Sequence, residues 1–259
     1  MTLTGVVITR DESKSIRACL ESLSFCDEIV VVDSGSTDDT GAIAASMGAK
    51  VIHHAWEGFG LQKKFAISCA QGPWILSLDA DERISPPLAR EITALKNCNF
   101  NGKSSFFLPF KKIFLGKKLN FGQSRGEKHL RLFHREGATI ESSAIHEGFS
   151  STGAAGYCSS PVFHDSYRSI DDYFVKFNHY TTLWATANFK RGKKAKPLLI
   201  MIRFPFDFIA CYLLKGGIFD GWPGFVAAVF HAFYSLTKYA KLRELSRESE
   251  TIKRSNILI

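Results

Sequence analysis

The chain has 259 residues, 45% of them hydrophobic and 22% charged, with a mean hydropathy of −0.03. That length and balance suit one large domain, or a domain with an appendage. They exclude a disordered polyampholyte and a polytopic membrane protein. The net charge of +8 is unevenly spread: residues 1–100 hold 9 Lys and Arg against 13 Asp and Glu (−4), residues 101–259 hold 24 against 12 (+12). A basic half can serve nucleic acid, anionic lipid or a phosphorylated substrate, and charge alone does not choose.

Six cysteines (Cys19, Cys26, Cys69, Cys98, Cys158, Cys211) form no C-x-x-C. The expectation is a reducing compartment without structural zinc. The first residues lack a basic stretch ahead of their short apolar patch, so they read as a strand, not a signal peptide. Residues 4–9 are apolar and rich in β-branched side chains, and a helical pattern follows with Ile16, Cys19, Leu20 and Leu23. Residues 28–32 repeat the theme and stop at Asp33-Ser34-Gly35-Ser36-Thr37-Asp38, where Ser and Asp can cap a helix through Ile43, Ala44 and Met47. A third strand begins at Lys50, a helix covers roughly 60–70, and Trp74 to Leu78 form a fourth strand ending at Asp79-Ala80-Asp81-Glu82. Strands alternating with helices imply a parallel sheet buried on both faces, with ligands at the carboxyl ends of its strands. The polar clusters Thr9 to Glu12, Asp33 to Asp38 and Asp79 to Glu82 all sit there. Helix caps and turns would account for the same residues.

Past residue 100 the pattern loosens into strands near 105–108 and 129–133 that suggest a mixed sheet. His146-Glu147 lies on a short segment between Gly-containing loops, and residues 169–190 read as a helix. Residues 198–214 are strongly apolar but interrupted by Arg203, Pro205 and Asp207, so a clean membrane span is not expected. A second apolar stretch, 222–240, ends in lysines. Both suit helices lying in a membrane interface, drawn there by the basic run Lys190 to Lys196; a buried hairpin or an oligomer contact is the alternative.

Asp79-Ala80-Asp81 places two carboxylates at a strand exit, a spacing suited to a hard divalent cation and a diphosphate. Together with Val7-Ile8-Thr9-Arg10-Asp11-Glu12 and Val30-Val31-Val32-Asp33-Ser34-Gly35-Ser36-Thr37-Asp38, it resembles the family 2 inverting glycosyltransferases. Within them the chain is similar to the bacterial branch that adds a sugar, often glucose, to the lipopolysaccharide inner core. Gly60-x-Gln62-Lys63, His146-Glu147 and Gly217-x-x-Asp220-Gly221 carry that narrower likeness.

The resemblance implies an α/β, Rossmann-like GT-A nucleotide-sugar-binding domain with a mixed central sheet over 1–168, its nucleotide half being 1–100 and its acceptor half 101–168. C-terminal amphipathic helices, membrane-associated, would fill 169–259. It further implies that Thr9, Arg10, Glu12, Asp33, Gln62, Lys63 and Asp79 bind the nucleotide sugar. Lys63 would neutralise phosphate, though a solvated helix lysine reads equally well. Mg²⁺ or Mn²⁺ would be held by Asp81, Asp79 and His164. Glu147 would be the catalytic base, with His146, Arg125, Lys128 and Arg131 on the acceptor side, unless the cations are ordinary surface charge. The implied partners are a UDP-sugar, a lipid-linked core saccharide and the anionic inner face of the cytoplasmic membrane, with no nucleic acid. A nucleotidyltransferase and a basic nucleic-acid-binding module remain as alternatives. The first lacks its Gly-rich basic loop here, and the second lacks interleaved basic and aromatic residues.

The chemistry asks for such residues. Breaking the bond from an anomeric carbon to a phosphate oxygen builds charge on the leaving diphosphate, which a divalent ion stabilises. In-line attack also needs a base beside the acceptor hydroxyl.

Overall fold

The computed structural model describes residues 1–142, 147–167 and 169–255, with side chains at 140–142, 147, 166 and 250–255 outside that description. The chain divides into two compact units, Met1–Lys111 with Gly126–Asp165, and Lys112–Arg125 with the chain from Ser166 onward.

The first unit opens with β1 (Leu3–Thr9), α1 (Ile16–Ser22), β2 (Glu28–Asp33), α2 (Thr40–Ser46), β3 (Lys50–His53), α3 (Phe59–Ser68) and β4 (Trp74–Asp79). Further along the chain come β5 (Glu82–Ile84), α4 (Pro86–Asn97), β6 (Ser105–Phe114), β7 (Lys117–Lys118, in the second unit), β8 (Lys128–His134), β9 (Ala138–Ser142), β10 (Glu147–Ser151), β11 (Ala155–Tyr157) and β12 (Val162–Tyr167). The main sheet runs β3-β2-β1-β4-β8-β6-β12-β5. β1 pairs in parallel with β2 and β4, and β2 with β3, whereas β8 joins β4 antiparallel. The sheet is therefore parallel in its N-terminal half and mixed beyond it, as the sequence pattern predicts.

Every residue of β1 is buried, because the sheet is covered twice. Leu3, Val7, Leu76 and Leu78 face a core built with Ile16 and Leu20 of α1, Leu23 just past it, and Leu88 and Ile92 of α4. Val6, Ile8, Val30, Val32 and Ile75 point the other way, onto Ala66 of α3. Alternation along each strand thus feeds two cores, and continuous apolar runs are what two covered faces require. α4 starts where the Ser85 hydroxyl accepts the Leu88 N–H at 3.4 Å, with Pro86 pre-set at the first turn.

The second unit consists of residues 112–125 and the helices α5 (Ile170–Lys190), α6 (Pro197–Ile209) and α7 (Gly221–Ser255). Residues 112–125 group with the helices of this unit. Two contacts explain why. Phe114 and Leu119 are buried in one cluster with Tyr173 and Phe177, and the Asp220 carboxylate accepts the N–H groups of Asn120 (3.1 Å) and Phe121 (2.9 Å). Asp220 is itself buried, and Lys117 donates to its carbonyl at 3.0 Å. The Gly217-x-x-Asp220-Gly221 motif is thereby a structural clasp. Gly221 has φ +68°, a left-handed value that favours glycine.

α6 buries none of its residues. Met201, Leu214, Phe219 and Trp222 are 72%, 75%, 76% and 66% exposed. The 18 residues Pro197–Leu214 have a mean hydropathy of 1.7 and are only 6% buried, so by length and composition they suffice to cross a bilayer. It is not the clean apolar span whose absence was expected, since it carries Arg203, Pro205 and Asp207; the two charges lie one turn apart, with Arg203 Nε 3.7 Å from Asp207 Oδ2, and each offsets the other.

Candidate active site at the carboxyl ends of the parallel strands

The loops that leave β1 and β2 are knitted together by side-chain oxygens. Asp33, the last residue of β2, accepts the Ser36 N–H (3.0 Å) and hydroxyl (2.7 Å). Asp11, at φ +53°, accepts the Thr37 N–H at 2.7 Å, and the Ser36 hydroxyl accepts the Asp11 N–H at 2.9 Å. Asp38 accepts the N–H groups of Ser13 and Thr40 at 3.0 Å each and bonds the Thr40 hydroxyl. These hydrogen bonds, Thr40 first, hold the Asp38 carboxyl far below the ordinary range. The turn reading therefore accounts for much of this cluster: Asp33 shapes its own loop, and neither Asp33 nor Ser34 caps α2.

Thr9 is buried at the end of β1; its carbonyl accepts the Ser34 N–H at 3.0 Å, and its hydroxyl has no partner among the described residues. Glu12 accepts the N–H groups of Ser15 and Ile16 through its carbonyl and so starts α1, while Arg10 is exposed beside Asp11 at 3.6 Å. Gln62 is wholly buried. Its amide donates to Ser34 Oγ (2.8 Å) and to the His54 carbonyl (3.2 Å), and its Oε1 sits 2.9 Å from His54 Nδ1. Gln62, expected among the nucleotide-sugar ligands, thus braces the loop around Ser34.

The densest charge lies where β4 ends. Lys63 on α3 is buried, its Nζ 3.0 Å from Asp79 Oδ1, which excludes the solvated-lysine reading. Arg131 on β8 is also buried. Its Nη2 lies 2.8 Å from Glu82 Oε1 and 3.3 Å from Asp79 Oδ2. Glu82 closes the ring by accepting the Asp79 N–H at 3.0 Å. Burial alone would raise the Asp79 pKa, but Lys63 and Arg131 overturn it and hold the carboxyl well below the carboxylate range. Glu82 moves the other way: burial, with the Asp79 charge adding, raises its pKa against the pull of Arg131. Burial opposes the Arg131 charge, yet Glu82 and Asp79 more than offset it and raise its pKa. Arg131, expected on the acceptor side, thus pairs with Asp79 and Glu82. A lone arginine inside the buried run Leu130-Arg131-Leu132-Phe133 was the available signal, because a charge there requires a buried partner.

Asp81 faces a different partner. His164 on β12, in antiparallel register with Glu82 on β5, brings Nε2 to 3.4 Å from Asp81 Oδ2. The Asp165 N–H donates to the Asp81 carbonyl at 2.9 Å and fixes that pairing. Burial lowers the imidazole pKa, but the Asp81 hydrogen bond and charge reverse this and raise it. Among the described residues no three His, Cys, Asp or Glu side chains converge as ready metal ligands. Asp81 and His164 nonetheless fit a divalent ion that takes its remaining ligands from phosphate and water. Asp79, expected to share that ion, has both its oxygens facing cations.

The remaining expected residues are dispersed. Lys128 is exposed, 5.1 Å over the Tyr157 ring, and Arg125 is exposed in the second unit. Glu147 opens β10 opposite Ser142, its side chain beyond the description, and His146 lies outside the described residues.

A parallel β3-β2-β1-β4 sheet continued by antiparallel strands, with an Asp-x-Asp at its carboxyl edge, defines a GT-A glycosyltransferase. Residues 5–137 match the family model described as Glycosyl transferase family 2, and the chain belongs to that family. Of the three classes left open by the sequence, this selects the first.

Relatives agree over nearly the full length. An uncharacterized glycosyltransferase of Rickettsia felis is 30% identical, covering 96% of this chain and 92% of its own. The lipopolysaccharide core biosynthesis glycosyltransferase LpsC of Rhizobium meliloti is 29% identical, covering 93% and 91%. Among solved structures, glucosyl-3-phosphoglycerate synthase from Mycobacterium tuberculosis, in complex with Mn²⁺, UDP and glucosyl-3-phosphoglycerate, is 24% identical. It covers 43% of this chain and 44% of that one, with a TM-score of 0.36.

Proposed function

We propose that this glycosyltransferase moves a hexose, glucose first among candidates, from a UDP-sugar to an inner-core saccharide of lipopolysaccharide, inverting the anomeric centre. The observation that carries the reading is the split of the acidic cluster: Asp79 is neutralised by Lys63 and Arg131, while Asp81 stands with His164. Similarity to LpsC over most of both chains supports the acceptor class.

In this reading Asp81 and His164 hold Mg²⁺ or Mn²⁺, which when bound stabilises the charge growing on the leaving diphosphate. Lys63 and Arg131 keep Asp79 ionised and fixed, so that it can accept hydrogen bonds from the donor's ribose. The loop bearing Asp33, shaped by Ser36 and held from below by Gln62 through Ser34, receives the base. Glu147 takes the proton from the acceptor hydroxyl. The exposed apolar residues of α6 and the start of α7 support peripheral attachment to the cytoplasmic face of the membrane, with the lysine-rich run ahead of α6 meeting anionic headgroups.

The test is titration of the full chain with UDP-glucose with and without Mn²⁺, repeated for Asp81→Ala and Glu147→Gln. Metal-dependent binding is expected to vanish in Asp81→Ala. Binding is expected to persist without transfer in Glu147→Gln. Unchanged metal-dependent binding in Asp81→Ala removes the metal assignment, and full turnover in Glu147→Gln removes the base.

A further inference from the structure

The second unit contains a cavity of about 300 Å³ that the transfer chemistry does not use. Its size is at the lower end of ligand sites, enough for part of a lipid. Phe114, Tyr167, Tyr173, Phe230 and Tyr234 supply aromatic walls. Tyr173 stacks on Phe230 at 4.3 Å and spends its hydroxyl on the Phe230 carbonyl at 2.8 Å, so that wall presents carbon rather than a free donor.

The polar lining has one sign. Lys112 and Lys238 line the cavity with Gln123 and His231, and no Asp or Glu does among the described residues. Lys238 Nζ lies 5.0, 5.5 and 5.7 Å from the ring centres of Trp184, Tyr234 and Tyr239, with no acid in ion-pair range among the described residues. Asp207, the acid nearest in effect, is matched by Arg203. Burial, then the Arg203 charge, lowers the Lys238 pKa, the signature of an ammonium lacking its anion. Burial also pushes His231 down to about 4, leaving it neutral at pH 7. The wall continues outward: Phe230 meets Phe174 at 5.6 Å, and Phe177 stacks on Phe233 at 5.2 Å, with Phe174 and Phe233 exposed.

We propose that this cavity binds one anionic phospholipid of the bilayer, its phosphate meeting Lys238 and Lys112 and the start of an acyl chain lying among the aromatic rings. A zwitterionic headgroup would bring a quaternary ammonium beside the Lys238 ammonium, and a free phosphate would leave the apolar walls unfilled. The inference rests on the membrane association proposed above, and it names the lipid class that association selects.

The experiment titrates the full chain calorimetrically with dihexanoyl phosphatidylglycerol below its micellar concentration, against dihexanoyl phosphatidylcholine and inorganic phosphate. Saturable binding of the anionic lipid is expected, at least tenfold weaker for the choline lipid and in Lys238→Met, with negligible binding of inorganic phosphate. Equal affinity for both lipids, or no loss in Lys238→Met, overturns the proposal. So does inorganic phosphate binding as tightly as the lipid. Ala227→Phe should fill the cavity and weaken binding; if it fails to fold, Lys238→Met still decides. Because the probe is soluble, lipid binding that persists while vesicle sedimentation fails would sink the membrane reading and spare the site.

Discussion

Lys63 Nζ lies 3.0 Å from Asp79 Oδ1, a buried cation on α3 matched to the carboxylate that ends β4. The pair joins a helix to the sheet at the edge where the parallel strands present their carboxyl ends. Removing the cation should strand a carboxylate still half-served by Arg131. Lys63→Met is expected to cost about 2 kcal/mol, below the range for wholly breaking a buried pair. Chemical denaturation checks it; an unchanged midpoint would mean Asp79 is adequately solvated without Lys63.

Arg131 and Glu82 allow a sharper comparison. Arg131→Leu leaves Glu82 buried and unpaired and should destabilise by about 3–5 kcal/mol, whereas Arg131→Leu with Glu82→Leu should recover most of that. A double variant no more stable than the single one would show that Arg131 works chiefly through Asp79.

The acid limb of the stability curve should carry the mark of Asp27. Lys96 donates to both its oxygens at 2.7 and 2.6 Å, and the Leu3 N–H donates at 2.7 Å. These bonds, Lys96 first, depress its pKa below the ordinary 3.8. The unfolded chain then binds the proton more readily, so the stabilisation is complete above about pH 4 and is lost as pH falls through the depressed value. Stability of Asp27→Asn, measured from pH 5 to 2, should fall less steeply than that of the parent; parallel curves would refute this.

Gly224 tests the clasp around Asp220. A Cβ there would strike the Gly217 carbonyl oxygen and sit 2.8 Å from the Asp220 Cβ. Gly224→Ala should cost about 1–3 kcal/mol through overpacking, visible as earlier thermal melting, while UDP-glucose binding is kept. A variant as stable as the parent would mean the turn yields at little cost.

The legibility of the site follows from what local sequence encodes. Apolar runs ending in Thr9, Asp33 and Asp79 announce strands and their polar exits, and the Asp-x-Asp is visible as a tripeptide. Lys63 and Gln62, one residue apart on α3, look alike in sequence and are both buried, yet one matches Asp79 and the other braces Ser34. Nothing within the helix distinguishes them. Arg131 is 52 residues from Asp79, and His164 arrives from a strand 83 residues beyond Asp81, so neither partnership has a local trace.

Sequence by itself determined the alternation of strand and helix, the carboxyl-edge acids and the apolar character of the C-terminal helices, because periodicity and composition act over a few residues. Only the tertiary structure decided which acid is neutralised and which stands with a histidine, where residues 112–125 belong, and that a one-signed aromatic cavity forms among the helices. Those outcomes depend on which distant side chains share a buried space, and there the matching of charge is set by neighbours in three dimensions.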